Sequence, residues 1–244
     1  MLNTGSGKEL VYHNESFPMC STFKLLAVSA LLAQVDAGRE QLSRRLTFKK
    51  SDLVTHSPAT EEHVGGKGMT LAALCKAAMT LSDNTAANLI VSCVGGPAGV
   101  TAYARSLSDT VTRLDRTEPD LNDIVPGDPR DTTTPLAMLE DLKTLVLGDA
   151  LSLASREQLT SWMKDCKTGD ERLRAGLPKD WVIGDKTGTL KNTANDIAVI
   201  WPPNRAPIVV TAFLTEAKVS DEECSKLLAA VGRAVAAEVV REGK

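Results

Sequence analysis

Ser21-Thr22-Phe23-Lys24 opens a run, Leu25-Leu26-Ala27-Val28-Ser29-Ala30-Leu31-Leu32-Ala33, in which nearly every position is apolar or small. A run with no polar face predicts a helix over 21–35 that is buried on all sides. Ser21 and Lys24 are three positions apart and become neighbours on one face of that helix. A serine hydroxyl is a weak nucleophile until a base stands beside it. A desolvated lysine in a positive field can give up its proton and act as that base. An S-x-x-K occurs by chance about once in a chain this long, so the pair gains meaning only from motifs further along the chain.

Composition sets the bounds. The 244 residues are 43% hydrophobic and 24% charged, ample for one large domain or two intertwined lobes. Net charge is −3 with no basic run, which argues against nucleic acid and anionic membrane as partners. No apolar stretch reaches the ~18–20 residues of a membrane span, and no signal peptide is expected in this chain. The five cysteines, Cys20, Cys75, Cys93, Cys166 and Cys224, include no C-x-x-C, and Cys75 and Cys93 read as small core residues. Only His13, His56 and His63 are present, with no carboxylates at ligand spacing, so neither a metal site nor another cofactor is expected.

Outward from the first helix, Asn3 to Gly7 is turn chemistry and Glu9 to His13 a short strand ended by Pro18. Residues 38–68 are polar and punctuated by Gly and Pro. Helices are predicted at 69–81 (Thr70 as N-cap), 86–94 (stopped by Gly95-Gly96-Pro97), 97–107, 135–147 and 155–167. Residues 112–134 have no period, and a loop of that length in a compact domain is usually functional. From Trp181 the period becomes two, giving strands at 181–189, 195–201 and 207–215 in an antiparallel meander. A final helix spans 220–240, its apolar positions including Leu227, Leu228, Val231, Val235 and Val239. Helices in the middle and strands at both ends give an α+β fold with one antiparallel sheet flanked by helices and an all-helical lobe.

Three polar sites interrupt apolar surroundings: Ser82-Asp83-Asn84, Glu118 to Asn122, and Lys186-Thr187-Gly188-Thr189. Each has an ordinary reading, respectively a helix cap, a solvated loop carboxylate and an edge-strand lysine beside a glycine. A strand glycine also marks close approach of a ligand to backbone. S-x-x-K, S-D-N and K-T-G in this order form the signature of class A β-lactamases and penicillin-binding proteins. The chain resembles a class A serine β-lactamase over nearly its whole length. Phe17 to Lys24 is similar to the family's nucleophile helix, Glu118-Pro119-Asp120-Leu121-Asn122 to its E-x-x-L-N loop, and Gly184 to Thr189 to its K-T-G strand.

The resemblance implies hydrolysis of the β-lactam ring of penicillins and cephalosporins. Ser21 would be the nucleophile, Lys24 or Glu118 (through a water) its base, and Ser82 the proton relay to the leaving nitrogen, helped by Lys186. Asn84 would hold the substrate's amide side chain; Lys186, Thr187 and Thr189 its carboxylate, with Gly188 close by; Glu118 and Asn122 the deacylating water. The N–H groups of Ser21 and Thr189 would form the oxyanion hole. It further implies an Ω-loop over 113–131 closed by Arg116 and Asp131, and a cis Glu118–Pro119 bond. Arg172 falls behind the K-T-G strand, and His56 near the mouth of the site. Cys20 has no partner, because Leu190 stands where a carbapenemase subgroup has a cysteine. The loop Leu190-Lys191-Asn192 is short for the family. The α/β lobe would comprise 1–20 and 168–244, and the mainly helical lobe 21–167.

Two other readings stay open: a penicillin-binding D,D-peptidase with slow deacylation, against which Glu118 and Asn122 argue, and a catalytically silent fragment or binder. Against the family's pattern the first helix and first strand have no counterpart before Leu2. That leads us to expect an empty slot beside strand 208–214 or re-pairing by Glu9–Asn14, with a protein that is poorly stable, self-associating or both where the family is monomeric. A periplasmic or secreted location is expected by resemblance alone.

Overall fold

The computed structural model describes residues 1–242. Its order is β1 (Leu2–Asn3), β2 (Phe17–Pro18), α1 (Phe23–Asp36), β3 (Arg45–Leu46), β4 (Met69–Thr70), α2 (Leu71–Thr80), α3 (Asn84–Cys93) and α4 (Gly96–Ser106). There follow β5 (Thr132–Thr133), α5 (Pro135–Val146), α6 (Leu153–Lys164), β6 (Val182–Leu190), β7 (Thr193–Trp201), β8 (Ile208–Leu214) and α7 (Asp221–Glu242). Among the described residues no single helix is long and apolar enough to cross a membrane.

The apolar run beyond Lys24 does what its composition dictates. Phe23 through Leu32 are all buried, and α2, α3, α4 and α6 pack around α1. Burial of each large side chain stabilises by about 1.5–3 kcal/mol, so this one helix is the main organiser of the helical core. Its first turn is tighter than expected: Cys20–Thr22 form a 3-10 turn before the α-helix begins at Phe23. The helix starts are fixed by side-chain caps. Thr70 accepts from Ala73 N, Asp83 from Ala86 N at 2.8 Å, and Thr134 from Ala137 N. Asp83 as cap starts α3 at Asn84, two residues earlier than the apolar pattern alone suggests.

The main sheet is antiparallel in the order β1-β8-β7-β6. Alternation along β7 divides the apolar residues between two clusters. Ile197 and Val199 join Val209 against the helical core, whereas Ala198 and Ile200 join Ile208 and Val210 beneath α7. α5 and α6 cover the first face, and α7 with a 3-10 turn at Leu173–Gly176 covers the second. β6 forms one edge of the sheet, and the 3-10 turn carrying Ser21 packs beside it.

Two expectations are corrected. No strand forms over 9–14: Glu9 makes a single bridge to Leu2, and 10–14 have no regular structure. The turn at Thr4–Ser6 and Gly7, in the left-handed region at φ 72°, folds Glu9 back onto Leu2. The neighbour of β8 is therefore β1, with Leu2 opposite Val209 and Asn3 opposite Ile208, and not a re-paired Glu9–Asn14. Lys8 pairs with Glu238, and Asn3 donates to Glu242, tying this turn to α7. In α7 the buried stripe is Cys224, Leu228, Gly232, Val235 and Val239, while Leu227 and Val231 are exposed on its flank.

Candidate active site

Five elements bring the polar motifs together around one lysine. Lys24 is completely buried, in the first turn of α1, and its Nζ lies 2.8 Å from Ser21 Oγ. The same nitrogen donates to Ser82 O (2.8 Å) and Asn84 Oδ1 (2.5 Å), and lies 3.3 Å from both Ser82 Oγ and Glu118 Oε1. Burial lowers the Lys24 pKa, and the carboxylate of Glu118 works in the opposite direction.

Ser82 stands between two lysines. Lys186, also fully buried, donates to Ser82 Oγ at 3.0 Å and to Thr187 O at 2.7 Å. Desolvation, reinforced by the charge of Lys24, brings Lys186 down to about 7. Asp83, the residue between the two site positions, turns inward as the cap of α3. Its carboxylate accepts from Ala59 N, Thr60 N and Thr60 Oγ1 as well as Ala86 N. Asp83 therefore caps α3 and builds the turn that places Ser82 and Asn84 beside Lys24.

Glu118 is buried, and its peptide bond to Pro119 is cis. Its Oε1 accepts from Ser21 Oγ at 3.3 Å, and its Oε2 from Asn122 Nδ2 at 2.6 Å. The loop that carries it closes through Asp131, which accepts from Asp115 N (2.7 Å), Arg116 N (2.9 Å) and Arg116 Nε (2.6 Å). The residues expected at the loop base are thus in contact.

Along β6, Gly188 permits a close approach. A Cβ there would meet Met19 O at 2.7 Å and Cys20 Cβ at 3.2 Å, so only glycine lets the strand lie against the turn of Ser21. Arg172 is buried, not a surface charge. Its Nη1 donates to Gly188 O (2.9 Å) and Asn195 O (2.8 Å), and its Nη2 to Thr189 Oγ1 (2.6 Å). Cys20 is buried and free, its thiol pushed up to about 12 chiefly by desolvation. His56 is exposed. Its carbonyl accepts from Asn84 N at 2.9 Å and its Nε2 donates to Leu81 O at 3.0 Å.

Cys20 (φ 46°), His56 (φ 62°) and Ser82 (φ 58°) all adopt the left-handed region, which non-glycine residues rarely enter. Such backbone is held only where its surroundings over-determine it, and here it flanks the site on three sides.

Sequence reasoning missed two side chains. Asn88, in α3, accepts from Glu118 N (2.9 Å) and donates to Glu118 O (2.8 Å), fixing the peptide of the loop carboxylate. Asn195 Nδ2 donates to Pro18 O (2.9 Å) and Met19 O (3.1 Å), fastening the turn of Ser21 to the sheet. Asn88 lies four residues beyond Asn84, one helical turn on, which is the only sequence signal that could have found it.

Comparison with known proteins agrees with this geometry. The model of the β-lactamase enzyme family matches residues 1–239. The chain is 50% identical over 237 residues to the β-lactamase CTX-M-97 of Escherichia coli, spanning 96% of this chain and 81% of that one. It is 48% identical over 245 residues to OXY-2 of Klebsiella oxytoca, spanning 100% and 82% respectively. Among solved structures, the class A β-lactamase of the last common ancestor of Gram-negative bacteria (GNCA4) superposes with a TM-score of 0.95. Its identity is 59%, with 98% of this chain and 91% of that one covered.

Proposed function

The chain belongs to the class A β-lactamases and hydrolyses β-lactams, and from that premise we propose how its own residues divide the work. Ser21 Oγ attacks the lactam carbonyl. Lys24 takes the proton: as a neutral amine, it satisfies Ser82 O and Asn84 Oδ1 with its two N–H bonds and turns its lone pair to Ser21, 2.8 Å away. The N–H groups of Ser21 and Thr189 stabilise the oxyanion, the close packing at Gly188 supporting their pairing. As the ring C–N bond breaks, Ser82 gives its proton to the departing nitrogen and regains one from its lysine neighbours. Water then attacks the ester and gives its proton to Glu118, and Ser21 leaves with that proton, relayed through Lys24, which lies 3.3 Å from Glu118 Oε1 and 2.8 Å from Ser21 Oγ.

Lys186, Thr187 and Thr189 receive the substrate carboxylate beside Gly188, Arg172 adding positive charge behind them. Asn84 binds the side-chain amide, and His56 borders the mouth. Asn122 with Glu118 holds the water, and Arg116–Asp131 closes the loop that carries them. In this reading the lobes 1–20 with 168–244 and 21–167 meet at the cleft, Lys186 coming from the first and Ser82 from the second, 3.0 Å apart. We place the enzyme in the periplasm or outside the cell, as a monomer or self-associating through the edge of β8, of which β1 pairs with only Ile208 and Val209.

The observation that carries this reading is the position of Glu118, in reach of Ser21 through one oxygen and held by Asn122 through the other. A carboxylate so placed separates a hydrolase from a protein that is merely acylated. A chromogenic cephalosporin mixed with the 244-residue protein should be turned over at a steady rate for many equivalents. A single-equivalent burst with no steady rate would reduce it to an acylated binder.

A further inference from the structure

The segment between α6 and β6 carries Arg172, and it delivers a second side chain to the same strand. Thr168 Oγ1 lies 2.5 Å from Thr187 Oγ1, and Cys166 Sγ lies 3.3 Å from Thr168 Oγ1. Thr187 and Cys166 are both buried. The segment is pinned at several points: Cys166 N donates to Met163 O, Lys167 N to Thr80 O at 2.9 Å, and Arg172 N to Gly169 O at 3.0 Å. Gly169 presses against the carboxylate of Asp185, where a Cβ would fall 1.9 Å from Oδ2, so Thr168 is held close to the strand.

A hydroxyl has one proton to give and two lone pairs, and a carboxylate only accepts. Thr187 can spend its proton on a substrate carboxylate only if the short contact with Thr168 is donated by Thr168. Thr168 in turn has a lone pair left for the thiol of Cys166, which burial keeps protonated by raising it to about 11. Two residues along, Arg172 Nη2 donates to Thr189 Oγ1 at 2.6 Å, and a guanidinium never accepts. Thr189 thus receives a hydrogen bond from this segment and keeps its own proton, and with Thr168 as donor Thr187 does the same.

We propose that Thr168 is a positioning residue for the known reaction: its hydroxyl donates to Thr187 Oγ1 and aims the Thr187 proton at the carboxylate of the β-lactam. The proposal rests on reading β6 as the carboxylate site. Hydrogen bonds in a chain polarise one another, so loss of the first weakens the last.

The test compares a penicillin with its methyl ester, which lacks the anionic carboxylate. Thr168→Val should raise KM for the acid by roughly 3–10-fold, leave kcat within about twofold, and leave KM for the ester unchanged. Thr168→Ser should restore the parent values, and the effect of Thr168→Val should vanish in a Thr187→Val background. Equal changes for acid and ester, or no change for either, would overturn the proposal. If Thr168→Val does not fold, Thr168→Ala carries the same comparison. Failure of the underlying reading is separable: the parent enzyme itself would then show no preference for acid over ester.

Discussion

Lys24 Nζ and Glu118 Oε1 are 3.3 Å apart, and both side chains are almost wholly withdrawn from solvent. Ser21 lies within reach of each, so one hydroxyl faces two groups able to take its proton. Burial favours the neutral amine and the nearby carboxylate favours the ammonium. Their balance lets the lysine accept in one step and return the proton in another. An arginine in its place cannot do this, because a guanidinium stays protonated. Lys24→Arg should therefore slow acylation about as much as Lys24→Ala, on the order of 10²–10⁴-fold, measured by single-turnover stopped flow. Substantial acylation by the arginine variant would show that Lys24 acts only as a cation.

Lys186 gives a pH dependence of definite sign. Burial and the charge of Lys24 bring it down to about 7, so it is cationic below that pH and neutral above. If Lys24 loses its proton first, the second of these causes is relieved and the transition moves higher. Attraction for the substrate carboxylate should thus fade as pH rises, with kcat/KM declining from about 7 or somewhat above. A bound carboxylate favours the charged form, so kcat should be flatter than kcat/KM. Lys186→Arg should abolish the alkaline limb, and an alkaline limb unchanged in that variant would assign it elsewhere.

The Ω-loop depends on a charge, not only on a hydrogen-bond acceptor. Asp131 is buried in the left-handed region (φ 58°), a conformation asparagine also tolerates. Asp131→Asn keeps shape and backbone but removes the charge that holds Arg116. The loss should be about 1.5–3 kcal/mol, lowering Tm by roughly 5–10 °C, and deacylation should slow more than acylation because Glu118 rides on this loop. An unchanged Tm in calorimetry would deny the ion pair its closing role.

Away from the site, Asp141 is buried beside Asp109, with one oxygen unpartnered. Desolvation, then the charge of Asp109, raise it to about 9, so it is a neutral acid at pH 7. Folded protein keeps this proton where unfolded chain has released it. The contribution to stability is therefore complete in acid and is lost as pH climbs towards 9. Asp141→Asn should raise Tm at pH 8 by about 2–6 °C and flatten the dependence between about pH 6 and 9. A variant equally or less stable at that pH would contradict the neutral acid.

Much of this was legible in the chain because its chemistry is local in sequence. Ser21 and Lys24 share one helical turn, Ser82 and Asn84 flank one cap, and Lys186 to Thr189 alternate along one strand. Glu118 and Asn122 occupy one turn of a loop whose lack of period announced it. The unread parts depend on packing between distant segments. Asn88 meets Glu118 across 30 positions and Thr168 meets Thr187 across 19, and neither pair has a periodic signature. Glu9 to His13 carried strand-like residues, but the turn before them folds Glu9 onto Leu2, and it is β1 that pairs with β8, at Ile208 and Val209. In α7, Leu227 and Val231 are apolar without being core, since an apolar stripe along a helix does not announce its own edges.

The central claim is that Ser21 is acylated and Glu118 drives the release. Intact and peptide mass spectrometry of Glu118→Ala after mixing with a penicillin tests it most directly. Losing a positioned base costs about 10²–10⁴-fold, so the variant should accumulate one ligand mass on the peptide containing Ser21, whereas the parent is recovered unmodified. An adduct on Ser82, or a Glu118→Ala enzyme that turns over at the parent rate with no trapped species, would contradict the account.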